Sequence, residues 1–405
     1  MLRTNKQNSI LVEQHVPLFN LLDYNLRITL ILSCFKLVSV VIAAWIAIVV
    51  GGQPAHALCT AETPVCAAKA GVFAIQSFHP AASATRIGPD LLVTNRHVVA
   101  NQAMAHVLVP DGARLDATVV SSSYPGDLIM LRVPDLPPGP VLVPGPTPST
   151  TTPLQTIGYD VGRQAIRIYA PGQITAIPPA NAPLARVHHN APSQPGNSGG
   201  ALVNSDGLLL AIVAAGGEGR HDGIPATEIK KLKSLSGPAH QAAHDQISLA
   251  YRQCTAATDA AVRGRRPLTH EQSAFLDENC QASKNRQLLD LAAQIFGRRG
   301  HFDESVDLFT VALDQDPNAI NTRLSLVVTL HLAGRYEDEI PHLKVLINTL
   351  PADVQVLRFA IQAGIWGNAP DLADRGMALL KQHHPQLAPL ADRFRNAPPP
   401  PPQGR

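Results

Sequence analysis

The pattern that most constrains the fold of this chain is a series of short apolar runs between residues 67 and 232. Gly, Pro, Ser and Asp separate these runs, which include 91–93, 106–109, 128–133 and 208–215. Short strands at even spacing with turn residues between them predict an all-β sandwich or barrel. The stretch 134–153 is rich in proline, which central strands exclude, so it predicts a connection between two β units.

Beyond about residue 241 the sequence becomes helical, with amphipathic stretches rich in Ala and Leu. Pro317, Pro351 and Pro385 lie 34 residues apart in succession. This period is typical of a helix-turn-helix repeat, and three such units suffice for a stable stacked array. The alternative is a plain helical bundle in which the proline spacing is a coincidence. The pattern predicts a multidomain chain, all-β and then all-α.

The segment 289–317 resembles a tetratricopeptide (TPR) repeat, and the matching positions are Phe296, Gly300, Phe309, Ala312 and Pro317. Related turns occur at 299–304 and 334–339. The second unit departs from the family at Glu339, where a small residue usually packs, and the third unit matches less well. The resemblance implies a helical module that recruits a protein partner or a substrate.

The chain of 405 residues is long enough for two or three domains, and its formal net charge is only +2. Four basic and two acidic residues precede position 51, so the remaining chain is formally neutral. A neutral body lacks the basic surface that nucleic acid or an anionic membrane requires. We therefore expect no nucleic-acid partner.

The first 57 residues have the features of an export signal. Lys36 precedes a 14-residue apolar run, and Ala-His-Ala at 55–57 matches the A-x-A pattern of a signal-peptidase site. Cleavage there would make Leu58 the first mature residue. The alternative is an uncleaved inner-membrane anchor, although Lys36 inside it would cost about 2.5–3.5 kcal/mol. We expect a periplasmic or secreted protein, associated with the membrane only if this segment is retained.

The cysteines beyond this segment fall into two sequence-local pairs, Cys59 with Cys66 and Cys254 with Cys280. Four cysteines allow three connectivities, so this pairing rests on proximity alone. Disulfides in both pairs would agree with export to an oxidising compartment, and buried free thiols are the alternative. None of these cysteines has neighbours at the spacing of a zinc site.

Three short motifs occur in the order base, acid, nucleophile. His97 follows Thr-Asn-Arg, Asp127 begins Asp-Leu-Ile-Met-Leu, and Ser198 lies within Gly-Asn-Ser-Gly-Gly. The imidazole of His97 is suited to take the proton of Ser198, and the carboxylate of Asp127 would orient that imidazole. The backbone N–H groups of Gly196 and Ser198 would form the oxyanion hole. This order is that of chymotrypsin-like proteases and not of α/β-hydrolases, which disfavours an esterase.

The region 70–232 resembles the trypsin-like serine proteases of the bacterial HtrA (Deg) type. Besides the three motifs, the matches are Gln194-Pro195, residues 207–213 and residues 223–226. The resemblance implies two small β-barrels with a cleft between them, and hydrolysis of peptide bonds by a Ser-His-Asp triad through an acyl-enzyme. HtrA proteases usually carry a PDZ domain where this chain has its helical repeats.

The residues predicted to bind substrate follow the nucleophile. Ala214, Ala215 and Gly216 would form an open strand edge that binds an extended peptide by backbone pairing. Asp222 lies where the family has small or apolar residues, and it has two interpretations. In the first interpretation Asp222 lines the specificity pocket and favours a basic substrate side chain. In the second it faces solvent, and this is the interpretation that we expect.

Adjacent histidines at 188 and 189 point to opposite faces of a strand and have no third ligand nearby, so we expect no metal site and no cofactor. The predicted function is an exported serine endopeptidase that acts on polypeptides. The alternative is a latent or inactive protease fold that acts through its helices. The predicted segments are an export signal at 1–57, a protease domain at 58–235, a helical connector at 236–284, TPR-like repeats at 285–390 and a disordered proline-rich tail at 391–405.

Overall fold

The computed structural model describes residues 59, 61, 63–110, 112–146, 148–217, 219–264, 267–393 and 397–400. The predicted export signal and the end of the proline-rich tail, 401–405, lie outside the described residues. Within the described part of the chain, none of the helices combines the length and apolar character that a membrane crossing requires.

The first β unit follows a short helix, α1 (Thr63–Lys69). Its antiparallel strands are β1 Val72–Gln76, β2 Ala82–Arg86, β3 Leu91–Thr94, β4 Met104–Leu108, β5 Arg114–Val120 and β6 Ile129–Arg132. They close into a barrel in the order β1-β2-β3-β6-β5-β4. Its core is apolar: Ile75, Val107 and Leu131 are fully buried. Closure leaves no unpaired edge in this sheet, since each strand has a neighbour on both sides.

The second β unit begins at the last residue of the proline-rich segment, Pro153; the described residues of that segment before Pro153 contain no strand, as predicted. Its strands are β7 Pro153–Asp160, β8 Ala165–Ile168, β9 Gly172–Ala176, β10 Val187–His189, β11 Ala201–Val203, β12 Leu209–Gly217 and β13 Arg220–Pro225. Their order is β11-β12-β13-β10-β9-β7-β8, and β11 also pairs with β7, so the sheet closes on itself. The predicted double barrel is therefore confirmed.

Two short helices lie within the β region, α2 (Arg96–Val99) and α3 (Glu228–Ser234). Two longer helices follow it, α4 (Gln241–Arg263) and α5 (His270–Ala282). The disulfide Cys254–Cys280 joins α4 to α5, with the two Cα atoms 4.9 Å apart. This is the pairing expected from sequence proximity. Cys59 and Cys66 are also disulfide-bonded.

The helices after α5 pair into hairpins of constant length. They are α6 Arg286–Arg298, α7 Phe302–Gln315, α8 Ile320–Leu332, α9 Tyr336–Thr349, α10 Val354–Trp366 and α11 Pro370–His383, followed by the short α12 Ala388–Asp392. The first helices of the hairpins begin at 286, 320 and 354, at intervals of 34 residues. The turn of each hairpin has one residue at positive φ: Gly300 at 80°, Gly334 at 71° and Asn368 at 55°. The 34-residue period is therefore a structural repeat, while membership of the TPR family stays a prediction.

The helical region packs directly against both β units. Phe78 and Ala100 of the first barrel lie in the same apolar cluster as Tyr251 of α4. On the second barrel, Asn318 Nδ2 donates to the carbonyl oxygen of Ile177 at 2.9 Å. The apolar contact and the hydrogen bond together hold the helices beside the cleft between the barrels.

Candidate active site

His97 and Asp127 meet because β3 and β6 are neighbours. Thr94 pairs with Ile129, which places the helix α2 after β3 beside the turn before β6. His97 Nδ1 lies 2.7 Å from Asp127 Oδ2, and the backbone N–H of His97 donates to Asp127 Oδ1 at 2.9 Å. The two contacts fix the imidazole with Nδ1 toward the carboxylate. They leave Nε2 as the ring nitrogen that can exchange a proton with another group.

The carboxyl group of Asp127 is buried, yet its environment favours the charged form. Burial by itself opposes ionisation, but the charge and hydrogen bonds of His97 and the charge of Arg186 outweigh it. These groups hold the pKa of Asp127 below its ordinary value. Arg186 Nη2 lies 4.0 Å from Asp127 Oδ2. Asp127 is therefore a carboxylate at neutral pH and is suited to stabilise an imidazolium.

Ser198 lies on the second β unit, in the turn that precedes β11. Asn197 organises this turn: its Nδ2 donates to the carbonyl oxygen of Tyr159 at 3.0 Å, and its Oδ1 accepts from the Gln194 N–H at 2.9 Å. Gly196 has a φ of 99°, a conformation that a residue with a Cβ rarely adopts. The backbone conformation of this turn thus explains why the sequence has a glycine at position 196.

The first barrel holds the same turn through β2. The hydroxyl of Ser83 donates to the carbonyl oxygen of Gly196 at 2.7 Å, and the Ser83 N–H donates to the carbonyl oxygen of Ser198 at 2.8 Å. Thr85 Oγ1 donates to the carbonyl oxygen of Gly199 at 3.0 Å. Ser83 and Thr85 are fully buried. Our sequence analysis missed both, although polar residues inside a barrel strand mark a site where polar partners are needed.

The hydroxyl of Ser198 is directed toward β12. Its Oγ lies 3.4 Å from the carbonyl oxygen of Ala214. Among the hydrogen bonds of the described residues, none joins Ser198 Oγ to His97. The hydroxyl must therefore turn from Ala214 to His97 before a proton can move to Nε2. Looser contacts of this kind are common in sites without a bound substrate.

The two backbone N–H groups predicted to bind an oxyanion are free of protein partners. Within the described part of the chain, neither the Gly196 N–H nor the Ser198 N–H donates to a protein acceptor. Gly196 is buried and Ser198 is partly exposed. Both N–H groups are thus available to an oxygen of a bound molecule.

The predicted substrate-binding edge is open in part. β12 pairs with β11 only as far as Ile212, so Ala214, Ala215 and Gly216 extend beyond that pairing. Gly216 is exposed and Ala215 is half-buried. The carbonyl oxygen of Ala214, however, accepts a hydrogen bond from Gln287 Nε2 of α6 at 3.3 Å. A helix therefore covers the carbonyl of Ala214, which corrects the expectation of an open edge there, whereas Gly216 is exposed; the binding of an extended peptide along this edge stays a prediction.

Asp222 does not face solvent, and this part of our sequence interpretation is wrong. Its side chain is buried between two arginines, with Arg186 Nη1 at 2.8 Å from Oδ1 and Arg286 Nη2 at 2.6 Å from Oδ2. Burial opposes its ionisation, but Arg186 and Arg286 lower its pKa well below the ordinary value. Because two arginines already balance this charge, Asp222 is poorly suited to bind a basic substrate side chain.

Two histidines share the strand face of Gly216. His221 pairs with Gly216 on one side and with His189 on the other, and directly opposed residues point to the same face. Burial, together with the neighbouring His221, lowers the pKa of His189 to about 4. His188 points to the opposite face, where its Nε2 lies 2.9 Å from Asp316 Oδ2. The described residues contain no cluster of three or more His, Cys, Asp or Glu that could hold a metal ion.

Known proteins are similar in sequence to the β region of this chain. Residues 82–212 match the family model of the trypsin-like peptidase domain. The chain is homologous to two curated proteins of Mycobacterium tuberculosis, Serine protease MT3772 of strain CDC 1551 / Oshkosh and Serine protease Rv3671c of strain ATCC 25618 / H37Rv. Each is 31% identical over an alignment of 137 residues, and the alignment covers 31% of this chain and 34% of the relative. The match therefore spans about a third of the length of these relatives.

Two crystal structures of the Rv3671c protease in an inactive form are also similar to this chain. Each is 25% identical, covers 45% of this chain and has a TM-score of 0.39. The matches cover 96% and 94% of the solved chains. The HtrA-type assignment stays a prediction.

Proposed function

We propose that this chain is a serine endopeptidase in which His97, Asp127 and Ser198 form the catalytic triad. The observation that supports this most is the pair of contacts between His97 and the two carboxylate oxygens of Asp127, at 2.7 and 2.9 Å. A carboxylate that fixes the tautomer and orientation of a histidine is the arrangement that general-base catalysis by imidazole requires. Ser198 lies across the cleft in a turn whose geometry suits a nucleophile.

The first half of the reaction makes an acyl-enzyme. Ser198 Oγ attacks the carbonyl carbon of the scissile bond while its proton moves to His97 Nε2. The N–H groups of Gly196 and Ser198 bind the resulting oxyanion, and losing one such donor typically costs about 2.7–4 kcal/mol of transition-state stabilisation. The C–N bond then breaks, and His97 Nε2 gives its proton to the leaving amine. Asp127 stays ionised throughout and stabilises the imidazolium.

The second half of the reaction releases the product and restores the enzyme. Water attacks the acyl carbon and gives a proton to His97 Nε2. The bond from that carbon to Ser198 Oγ breaks, and Oγ recovers a proton from Nε2. All the groups that move protons belong to the chain or to water, so these steps need no cofactor.

A latent or purely binding role is the second candidate, and one observation favours it. Ser198 Oγ and Gln287 Nε2 both approach the carbonyl oxygen of Ala214, at 3.4 and 3.3 Å. This arrangement takes the hydroxyl away from His97 and occupies an acceptor that an extended peptide would use. In this role the helical repeats would bind a partner while the protease fold stays inactive.

Export and partner recruitment are further parts of the proposal. The disulfide Cys254–Cys280 supports export, because disulfides persist in oxidising compartments. The test is N-terminal sequencing of the protein from periplasmic, secreted and membrane fractions. A start at Leu58 supports cleavage, and a membrane-bound chain that begins at Met1 contradicts it.

Recruitment of a protein partner by residues 285–390 predicts that an affinity-purified complex loses this partner when that segment carries surface substitutions.

The experiment that tests the enzyme proposal is labelling with a fluorophosphonate, followed by digestion and mass spectrometry. Labelling at Ser198 that disappears in Ser198→Ala and in His97→Ala supports the endopeptidase. A folded protein that is not labelled contradicts it and favours the binding role. Cleavage of a denatured polypeptide such as casein by the wild type, and not by Ser198→Ala, then separates peptidase from esterase activity.

A further inference from the structure

A row of alternating charges leads from the active site into the helical region. It starts at Asp127 Oδ2, which lies 4.0 Å from Arg186 Nη2. Arg186 Nη1 lies 2.8 Å from Asp222 Oδ1, and Asp222 Oδ2 lies 2.6 Å from Nη2 of Arg286, the first residue of α6. The row thus joins the first barrel, the second barrel and the first helical hairpin.

All of these side chains are buried. The exposed fractions are 5% for Asp127, 4% for Arg186, 7% for Asp222 and 7% for Arg286. Away from water, charges interact strongly over longer distances and are little screened by salt. Removal of one member of such a row leaves its neighbours with an unbalanced buried charge, which they can relieve only by moving or by shifting their protonation.

Arg186 is shared unequally between two carboxylates. It makes a direct hydrogen bond to Asp222 and stands farther from Asp127. The position of Arg186 therefore depends on how strongly Asp222 attracts it. Arg286 limits that attraction, because it balances part of the charge of Asp222 from the other side.

We propose that Arg286 is a positioning residue for the active site, which sets the place of the Arg186 guanidinium beside Asp127 through Asp222. This inference rests on the proposed function, since it assigns the helical region a part in the same catalytic centre. Arg286 touches neither substrate nor reacting atoms, and it acts only through its neighbours. The helical region is then a component of the active site as well as a binding module.

The proposal predicts opposite effects for two substitutions. Arg286→Met removes a positive charge, which makes the surroundings of His97 more negative and favours the imidazolium. Asp222→Asn removes a negative charge and has the reverse effect. The other charged or titratable groups near His97, Asp127, Asp222 and Arg286 are not substituted in either variant; they are His79, Arg96, Tyr124, Arg186, His188, Tyr251, Asp290 and Asp316. Burial raises the pKa of Asp290 to about 6, and its carboxylate lies 3.3 Å from Arg286, so Asp290 takes up a proton more readily in Arg286→Met and offsets part of the charge change.

The experiment is the second-order rate of fluorophosphonate labelling of Ser198 in the full chain, measured from pH 5 to pH 9. We expect the rate to rise with pH, because the attack of Ser198 requires a neutral base that accepts its proton. We expect its midpoint to move up by about half a pH unit in Arg286→Met and down by a similar amount in Asp222→Asn. We expect Arg286→Lys to restore the midpoint, because it restores the charge, and to recover the plateau rate only in part.

A control variant separates this effect from general loss of charge in the helices. Arg335 also pairs with two carboxylates, Asp338 at 2.7 Å and Asp303 at 3.3 Å, but it lies in the turn of the second hairpin, outside the row. Arg335→Met should keep the wild-type midpoint. Far-UV circular dichroism and thermal unfolding of every variant show whether the fold is intact.

Different results would overturn the positioning role of Arg286 and the endopeptidase activity. Unchanged midpoints in both variants, or shifts in the same direction, overturn the positioning role, since a purely structural contact would not produce shifts of opposite sign. A wild-type protein that is never labelled contradicts the endopeptidase. In that case, NMR titration of the His97 imidazole in the Ser198→Ala background measures the midpoints without any reaction. Shifts of opposite sign in Arg286→Met and Asp222→Asn would then support the positioning role of Arg286, and their absence would overturn it.

Discussion

The side-chain amide of Gln287, in α6, donates to the carbonyl oxygen of Ala214, in β12, at 3.3 Å. This carbonyl lies 3.4 Å from Ser198 Oγ, two residues beyond Ile212, where the pairing of β12 with β11 ends. A peptide that adds to the strand edge needs it as an acceptor. In the proposed function, the helical region therefore competes with a bound peptide for this carbonyl.

The substitution Gln287→Ala should make this edge easier to occupy. Loss of a competing hydrogen bond of about 0.5–1.5 kcal/mol corresponds to a roughly 2- to 12-fold faster reaction with a peptidyl phosphonate inhibitor. A small fluorophosphonate needs no strand pairing, so its rate should rise less. The ratio of the two rates is the measurement.

Asn318→Ala is the matched control for this substitution, because Asn318 also donates an amide hydrogen bond from the helical region to a barrel carbonyl, that of Ile177. Its ratio of rates should equal that of the wild type. Equal ratios for Gln287→Ala and Asn318→Ala would show that Gln287 does not obstruct the edge.

The substitution Ser83→Ala should damage the nucleophile turn from the opposite barrel. Its hydroxyl donates to the carbonyl oxygen of Gly196 at 2.7 Å and accepts from the Tyr159 N–H at 2.8 Å. Leaving such buried groups unpaired typically costs about 1–3 kcal/mol. We expect the free energy of unfolding in urea to fall by this amount and the labelling of Ser198 to slow. Ser77→Ala, which removes an exposed hydrogen bond to Met104 in the same barrel, should have little effect on either quantity.

The sequence predicted the local parts of this site well. His97, Asp127 and Ser198 lie in motifs whose neighbours in the chain determine the local geometry, such as the glycines around Ser198. The alternation of short apolar runs predicted the strands, and the period of 34 residues predicted the helical hairpins. These features depend on residues close in sequence, and so they can be found in a single chain.

The contacts between domains were not predictable in this way. Asp222 meets Arg286 across 64 residues of sequence, and nothing in either local pattern indicates the partner. We expected Asp222 to face solvent as a carboxylate in a loop, but it lies within β13. Arg186 of the second barrel and Arg286 of the helical region enclose its carboxylate, and His221, on the opposite face of β13, is buried as well.

Acid should weaken the fold through Asp127 and Asp222. The pKa of each is lower in the folded chain than its ordinary value, so the unfolded chain binds protons first as the pH falls. Their contribution is complete above about pH 5 and is lost as the pH drops through the lowered folded pKa values. We expect the free energy of unfolding in urea to decrease between pH 5 and pH 3, and Asp222→Asn to reduce this slope.

At pH 7 the same Asp222→Asn variant should be less stable than the wild type, because it leaves Arg186 and Arg286 buried without their shared carboxylate. Asp135→Asn, at an exposed position between the two barrels, is the control and should keep the wild-type slope. If the free energy of unfolding changes with pH equally in Asp222→Asn and in the wild type, Asp222 does not stabilise the fold through its contacts with Arg186 and Arg286.

The third hairpin should be stabilised by the substitution Asn368→Gly. Asn368 has a φ of 55° at the turn position where Gly300 and Gly334 stand in the other hairpins. The left-handed conformation costs a residue with a Cβ roughly 1–2 kcal/mol, a penalty that asparagine reduces and glycine avoids, so we expect a gain of about 0.5–1 kcal/mol in the free energy of unfolding. Asn348→Gly, the same change in the last turn of α9, should instead destabilise the fold, because it removes the hydrogen bonds that the Asn348 side chain makes with the Lys344 carbonyl oxygen and with Arg375 Nη2. Chemical denaturation measures the free energy of unfolding of the two variants. A lower value in Asn368→Gly than in the wild type would contradict the prediction, because it would show that the contacts of the asparagine side chain stabilise the turn by more than its backbone strain destabilises it.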